Sequence, residues 1–196
     1  MIIPPSVKIV AAVKNRNDLE LERIYSKGIN NFGENRLQEY LNRSEIIKNK
    51  NIHWHFIGRI QMNKIKKISK EFKFIHSISR FSEIKQISKL GPPYPICLIQ
   101  VNLGDDSKSG IKPTELKPLL DMTKEENPKL PIKGLMTMPP YTTNPEENRM
   151  WFREVKKLGY ENFKKPLLSM GTTQDWKIAI SEGSNIIRLG RKIFEF

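Results

Sequence analysis

The chain is almost free of cysteine, and that scarcity narrows the field first. Cys97 stands alone, so no disulfide framework can form, which suits a reducing cytosol. It lies in the apolar run Pro95-Ile96-Cys97-Leu98-Ile99, where a thiol packs as a small hydrophobe. Long apolar runs are missing too: nothing approaches the roughly 20 residues that span a bilayer. The opening Met1-Ile2-Ile3-Pro4-Pro5 lacks the charged region and apolar stretch of a signal peptide. No Gly-x-Gly-x-x-Gly occurs, so the usual dinucleotide fingerprint is absent. Repeats, linkers and low-complexity segments are absent as well. These absences predict one cytoplasmic domain over residues 1–196, with no membrane segment.

Positive charge is abundant. The formal net charge is +13, with 38% hydrophobic and 28% charged residues in 196, enough chain to bury a sizeable core. The basic residues are spread along the sequence. Their densest group, Lys64, Lys66, Lys67 and Lys70, falls on a predicted helix. We read it as a solvated face, not a specific nucleic-acid site, because a charge patch alone is weak evidence of one. The same charge favours small anionic ligands.

Short apolar runs alternate with amphipathic stretches. Strands are predicted over 7–13, 29–32, 53–57, 72–78, 95–101, 131–136, 166–170 and 185–189, most of them apolar on both faces as covered parallel strands are. Helices are predicted over 17–27, 35–48, 62–70, 81–90, 112–127, 145–158 and 173–182. Strict alternation implies an α/β parallel sheet. Eight strands predict a closed (β/α)8 TIM-type barrel, with an open doubly wound sheet as the alternative. No eighth helix is expected after the last strand.

A barrel carries its chemistry at the C-terminal ends of its strands. Lys14 closes the first predicted strand, with the parity of Val10 and Ala12. Two readings stay open there: a surface lysine that starts a loop, or a buried amine able to form a Schiff base. Gly33 permits a tight turn after strand two, and Glu34 or Asn35 is placed to cap the next helix. His53 and His55 share one side of strand three. They have no acidic or cysteine partner at ligand spacing, so a metal is not expected. Ser169-Met170-Gly171-Thr172-Thr173 and Arg188-Leu189-Gly190-Arg191 follow strands seven and eight, the usual phosphate position of this fold. Helix capping and anion binding both fit those residues. A lysine opposite a phosphate cradle describes a pyridoxal phosphate site, although spacing alone does not select that cofactor over another phosphate ester.

At this point the residues resemble a known family, the pyridoxal phosphate homeostasis proteins, whose barrel is similar to the alanine racemase N-terminal domain. The matching stretches are IVAAVK (9–14), FGENRLQE (32–39), HWHFIGRIQMNK (53–64), IHSISR (75–80), QVNLGDDSKSGI (100–111), GLMTMP (134–139) and residues 168–194. The resemblance implies that Lys14 forms the internal aldimine and Arg188 faces the pyridine nitrogen. It places Ser169, Met170, Gly190 and Arg191 at the phosphate, partly through backbone, and Asn35 near the ring. His55, Gln61 and Asn63 fall near the pocket, and Lys108 is a secondary cofactor-handling candidate.

The resemblance further implies a carrier that maintains the pyridoxal phosphate supply, with no dedicated reaction. Racemases add a β-rich domain whose partner subunit supplies a tyrosine, and that domain is not expected here. A racemase-like enzyme is the alternative. A monomer is expected, making transient contact with enzymes that need the cofactor. Several residues depart from the family pattern. The usual extra helix before strand one is missing, which predicts an apolar strip beside the first helix. Asn15-Arg16, Arg59 and Glu195 replace more usual residues.

Overall fold

The computed structural model describes residues 3–43, 45–48, 50–104 and 109–194. Eight strands close into a barrel in sequence order. They are β1 (Lys8–Ala12), β2 (Asn31–Glu34), β3 (His53–Phe56), β4 (Phe74–Ile78), β5 (Ile96–Val101), β6 (Ile132–Thr137), β7 (Leu167–Ser169) and β8 (Ile186–Leu189). Every pairing is parallel, and β8 returns to β1 with Val10 in register with Arg188. The (β/α)8 barrel therefore stands, and the open sheet is set aside.

The helices are α1 (Asp18–Ser26), α2 (Leu37–Leu41), α3 (Glu45–Lys48), α4 (Ile65–Glu71), α5 (Phe81–Ser88), α6 (Pro113–Glu126), α7 (Arg149–Asn162) and α8 (Trp176–Ser181). α1 begins in a capping box, with Asn17 and Glu20 each bonding the other's backbone N–H. It ends at Gly28, whose φ of 87° lets the N–H of Ile29 reach Ile24 O at 3.2 Å and that of Gly28 reach Tyr25 O at 2.9 Å. Ile29 thus belongs to the helix end, and β2 starts at Asn31, later than the predicted run.

The predicted helix 35–48 is two helices. The chain breaks after Asn42 because Arg43 turns inward to bond groups under the neighbouring loop. After β8 the chain forms a 3-10 turn, Arg191–Phe194. Ile193 is buried there, and the Arg16 guanidinium lies 4.6 Å from the Phe194 ring centroid. This turn covers part of the flank where the sequence predicts an apolar strip, leaving Leu19 exposed on α1.

Two cores result. The larger lies between strands and helices and includes Ala11, Val13, Phe32, Ile75, Ile99, Leu135 and Leu168. Cys97 belongs to it, and burial pushes its thiol up to about 12. The smaller fills the barrel axis with Val10, Leu98, Met136 and Ile186. Next to that apolar plug the barrel interior is polar, where such barrels ordinarily stack branched apolar side chains.

Candidate functional site

Arg188 is the centre of the polar interior. β8 turns it inward, and it is only 6% exposed. Its Nη1 donates to Ser169 O at 2.8 Å and to Ser169 Oγ at 2.6 Å, and its Nη2 donates to Thr137 O at 2.9 Å. All three bonds end on neutral oxygens. Burial pulls the guanidinium down to about 10, opposed by the charge of Asp175. The result is a buried cation with no directly bonded counter-ion among the described residues, a setting that favours an anionic ligand.

Ser169 passes the network on. Its Oγ lies 2.9 Å from His76 Nδ1, His76 Nε2 lies 2.8 Å from His55 Nδ1, and His55 Nε2 lies 3.1 Å from Asn31 Oδ1. His55 also stacks on Phe74, with ring centroids 4.2 Å apart. Both imidazoles are held well below the usual histidine range, first by burial. For His55 the next causes are His76 and the Lys8 charge; for His76 they are Arg188 and Lys8.

Lys14 follows the adjoining strand, β1. β1 ends at Ala12, so Lys14 lies in the following turn, where it is exposed and not a buried amine. The closed barrel makes β1 the neighbour of β8, so Lys14 is beside the two candidate phosphate loops and not opposite them. The turn is closed by the N–H of Arg16 on Val13 O at 3.2 Å, with Asn15 at φ 57°. Asparagine tolerates that left-handed conformation better than most residues. Below the turn, Arg43 Nη2 donates to Val13 O and to Glu34 Oε2, both at 3.1 Å. Glu34 is fully buried, and its other oxygen accepts from the N–H of Asn35 at 2.8 Å. Burial raises the Glu34 carboxyl more than the Asn35 N–H and Arg43 lower it. The Glu34–Arg43 pair thus braces the lysine turn.

Glu34 and Asn35 do not cap α2, because its N-cap is Arg36, which makes no side-chain capping bond. Gly33 serves close approach and not a turn: it lies inside β2, and a Cβ there would stand 2.8 Å from Val10 Cγ1.

The loops after β7 and β8 are stitched together. The N–H of Arg188 bonds Gly171 O at 3.0 Å, and that of Gly190 bonds Thr173 Oγ1 at 3.1 Å. The N–H of Met170 is engaged by Ile186 O, that of Thr172 by Asp175 Oδ1. Among the described residues the N–H groups of Gly171 and Thr173 have no hydrogen-bond partner. They are the spare donors of this cradle. Met170 turns its side chain into the outer core. Ser169 commits its hydroxyl to Arg188 and His76, so it shapes the site through the arginine. Arg191 is exposed at the start of the last turn.

Asn35 borders two open cavities of about 430 and about 410 Å3, which share Gly58 and Arg59. A Cβ on Gly58 would fall 1.9 Å from Asn35 O, so only glycine permits that approach. Asn35 Oδ1 is buried with no partner. Gln61 lines the first cavity, and Asn63 is exposed beside it. Another cavity, about 450 Å3 around residues 127–133, lies before β6 at the other end of the barrel and holds no predicted site residue. His53 is apart from the network and accepts from Lys73 Nζ at 3.1 Å. Lys108 lies outside the described residues. Among the described residues no three His, Cys, Asp or Glu side chains gather as a metal site, and no helix is long and apolar enough to cross a membrane.

The sequence reading missed His76, Thr137 and the Glu34–Arg43 brace. His76 hides in the apolar run Phe74-Ile75-His76-Ser77-Ile78. Its only signal is parity: it shares the inward face of its strand with Phe74, as His55 does with His53.

The fold and the site define a barrel of the alanine racemase N-terminal class, and the sequence model of that domain matches residues 1–194. The chain belongs to the family of pyridoxal phosphate homeostasis proteins. It is 38% identical to the member so named from Aquifex aeolicus, over 95% of this chain and 86% of that one. With the member from Synechocystis it shares 36% identity over 98% and 92%. Among solved structures it is similar to PipY of Synechococcus elongatus without pyridoxal phosphate, at TM-score 0.89 and 30% identity, over 98% of this chain and 94% of that chain. The same protein with pyridoxal phosphate bound gives 0.87 at 30% identity over the same shares. Alanine racemase from Corynebacterium glutamicum shares the fold at TM-score 0.72 and 15% identity, with 97% of this chain covering 56% of the enzyme.

Proposed function

We propose that this chain binds pyridoxal 5′-phosphate at the C-terminal mouth of the barrel and maintains its supply, without a dedicated reaction of its own. Lys14 is the covalent anchor, Arg188 faces the ring nitrogen, and the 169–173 and 188–191 loops hold the phosphate. Asn35 and His55 belong to the ring side of the site, His55 acting through the interior network. The observation that carries the reading is the buried Arg188, with no bonded carboxylate among the described residues, next to the spare N–H groups of Gly171 and Thr173, with Lys14 in the turn after the adjoining strand. A dianionic phosphate ester fits that donor set.

When bound, the cofactor supplies an aldehyde with which a lysine amine condenses. The protein's part is to present that amine and hold the phosphate. Arginine only donates hydrogen bonds, so it does not keep a ring nitrogen protonated as a carboxylate would. That weakens the electron sink a catalyst needs, but the racemase resemblance includes the same arginine, so this feature alone does not separate carrier from enzyme. The names of relatives of nearly equal length support the carrier. The single buried cysteine fits a cytoplasmic location. We read the molecule as a monomer that meets cofactor-requiring enzymes transiently.

The racemase-like alternative draws on the shared barrel. Chiral chromatography after incubation with alanine or serine separates the two. The carrier predicts interconversion no faster than that by free pyridoxal phosphate; turnover well above that level makes the protein an enzyme.

A further inference from the structure

Buried imidazoles inside a barrel need a physical account, and the hydrogen-bond inventory supplies one. Arg188 can only donate, so Ser169 Oγ accepts from it. At the other end, Asn31 Nδ2 donates to Asn30 Oδ1 at 2.8 Å, which leaves Asn31 Oδ1 as the acceptor facing His55 Nε2. His55 therefore carries its proton on Nε2 and accepts at Nδ1. His76 must then donate from Nε2 and accept at Nδ1, and the Ser169 hydroxyl donates to it. Each ring has one donor, one acceptor and no place for a second proton. Every bond points from Arg188 toward Asn31. Such aligned chains polarise one another, so the hydroxyl oxygen becomes a better acceptor for the guanidinium.

We infer that His76, acting through Ser169, is a positioning residue for Arg188, and that His55 and Asn31 fix the tautomer in which it does so. This inference rests on the pyridoxal phosphate reading for its consequence, and on the hydrogen bonds alone for its direction. The chain holds Arg188 toward the barrel mouth as a fixed donor and keeps it from swinging toward other acceptors. The charged groups that bear on the two rings all agree in sign. Lys8 on β1, His53 on β3, Lys73 before β4 and Arg188 on β8 all oppose a proton there.

The direction is tested without cofactor. Nitrogen-15 spectra should show both interior imidazoles neutral and protonated on Nε2 at neutral pH. An Nδ1–H tautomer or a charged ring for either would overturn the inference. The consequence is tested by titrating the wild type, His76→Gln and His76→Leu with pyridoxal phosphate. Glutamine offers one acceptor and one donor; leucine offers neither. His76→Leu should bind about tenfold more weakly, equivalent to about 1.4 kcal/mol, and the long-wavelength absorption of its bound cofactor should become pH-dependent. His76→Gln should recover most of the affinity and the flat pH profile. Ser169→Ala, a smaller change, should reproduce the leucine result if His76→Leu does not fold. Wild-type affinity and a flat profile in both His76→Leu and Ser169→Ala would overturn the positioning role, as would a glutamine variant as impaired as the leucine one. A wild type that takes up no pyridoxal phosphate would instead overturn the binding reading and the positioning role with it, leaving the tautomer result standing.

Discussion

Arg43→Ala should destabilise the protein by about 3–5 kcal/mol, the usual cost of breaking a buried ion pair from one side. The Arg43 side chain is 8% exposed and that of Glu34 is fully buried. Removing the guanidinium strands a carboxylate in the core and releases the carbonyl of Val13. For a chain of this size the melting temperature should fall by roughly 6–20 °C. The loss should grow with pH, because an unpaired Glu34 escapes part of the penalty by taking a proton. Glu34→Gln should cost less, since an amide still accepts from the N–H of Asn35 and no charge is stranded. The Lys14 turn rests on this pair, so Arg43→Ala should also slow covalent capture at Lys14. Urea unfolding of both variants near pH 6 and near pH 8 checks the account. A loss under about 1 kcal/mol at the higher pH would show that the pair does not brace the turn.

Acid should unfold the protein early and steeply. His55 and His76 are held neutral in the fold, well below their ordinary value of 6.5. Above that value neither state binds the protons, and stability is complete. As pH falls through 6.5 the unfolded chain takes up protons that the native barrel refuses, so stability falls. Each histidine contributes a slope of up to about 1.4 kcal/mol per pH unit, roughly 2.7 for the pair. His53 is shifted the same way, by burial and then by Lys73 and Lys8, and adds to the slope. Glu34 works against it: its raised carboxyl takes a proton in the native state first and adds stability at lower pH. Denaturant melts between about pH 8 and about pH 5 should show the decline, and His76→Leu should reduce its slope by one proton's worth. A flat profile in the wild type would mean that the two rings accept protons inside the barrel.

Much of this was legible in the sequence, and the reasons differ by element. Most of the predicted strand runs are short and apolar on both faces, as buried parallel strands are. Lys14 and Arg188 were legible because strand ends in an alternating chain point to one rim. Their adjacency needed barrel closure, which sets β1 against β8. The break in 35–48 was not legible: it depends on Arg43 bonding Val13 O, 30 residues away in sequence, and periodicity carries no such information. Nor was the interior chain. His55, His76, Ser169 and Arg188 come from four strands, and each alone resembles a stray polar residue in an apolar run. Only the barrel's inward parity brings them to one axis. Ser169 shows the limit of motif reasoning: the sequence places it at a candidate phosphate loop, and its hydroxyl faces the arginine and the histidine.

The central claim is that Lys14 is where pyridoxal phosphate is held. The most direct measurement is peptide mass spectrometry of the purified chain after mixing with pyridoxal phosphate and reducing with borohydride. The account predicts one cofactor mass on the peptide containing Lys14, and no such adduct in Lys14→Ala. An adduct that persists in Lys14→Ala, or a wild-type chain that emerges unmodified, would contradict it.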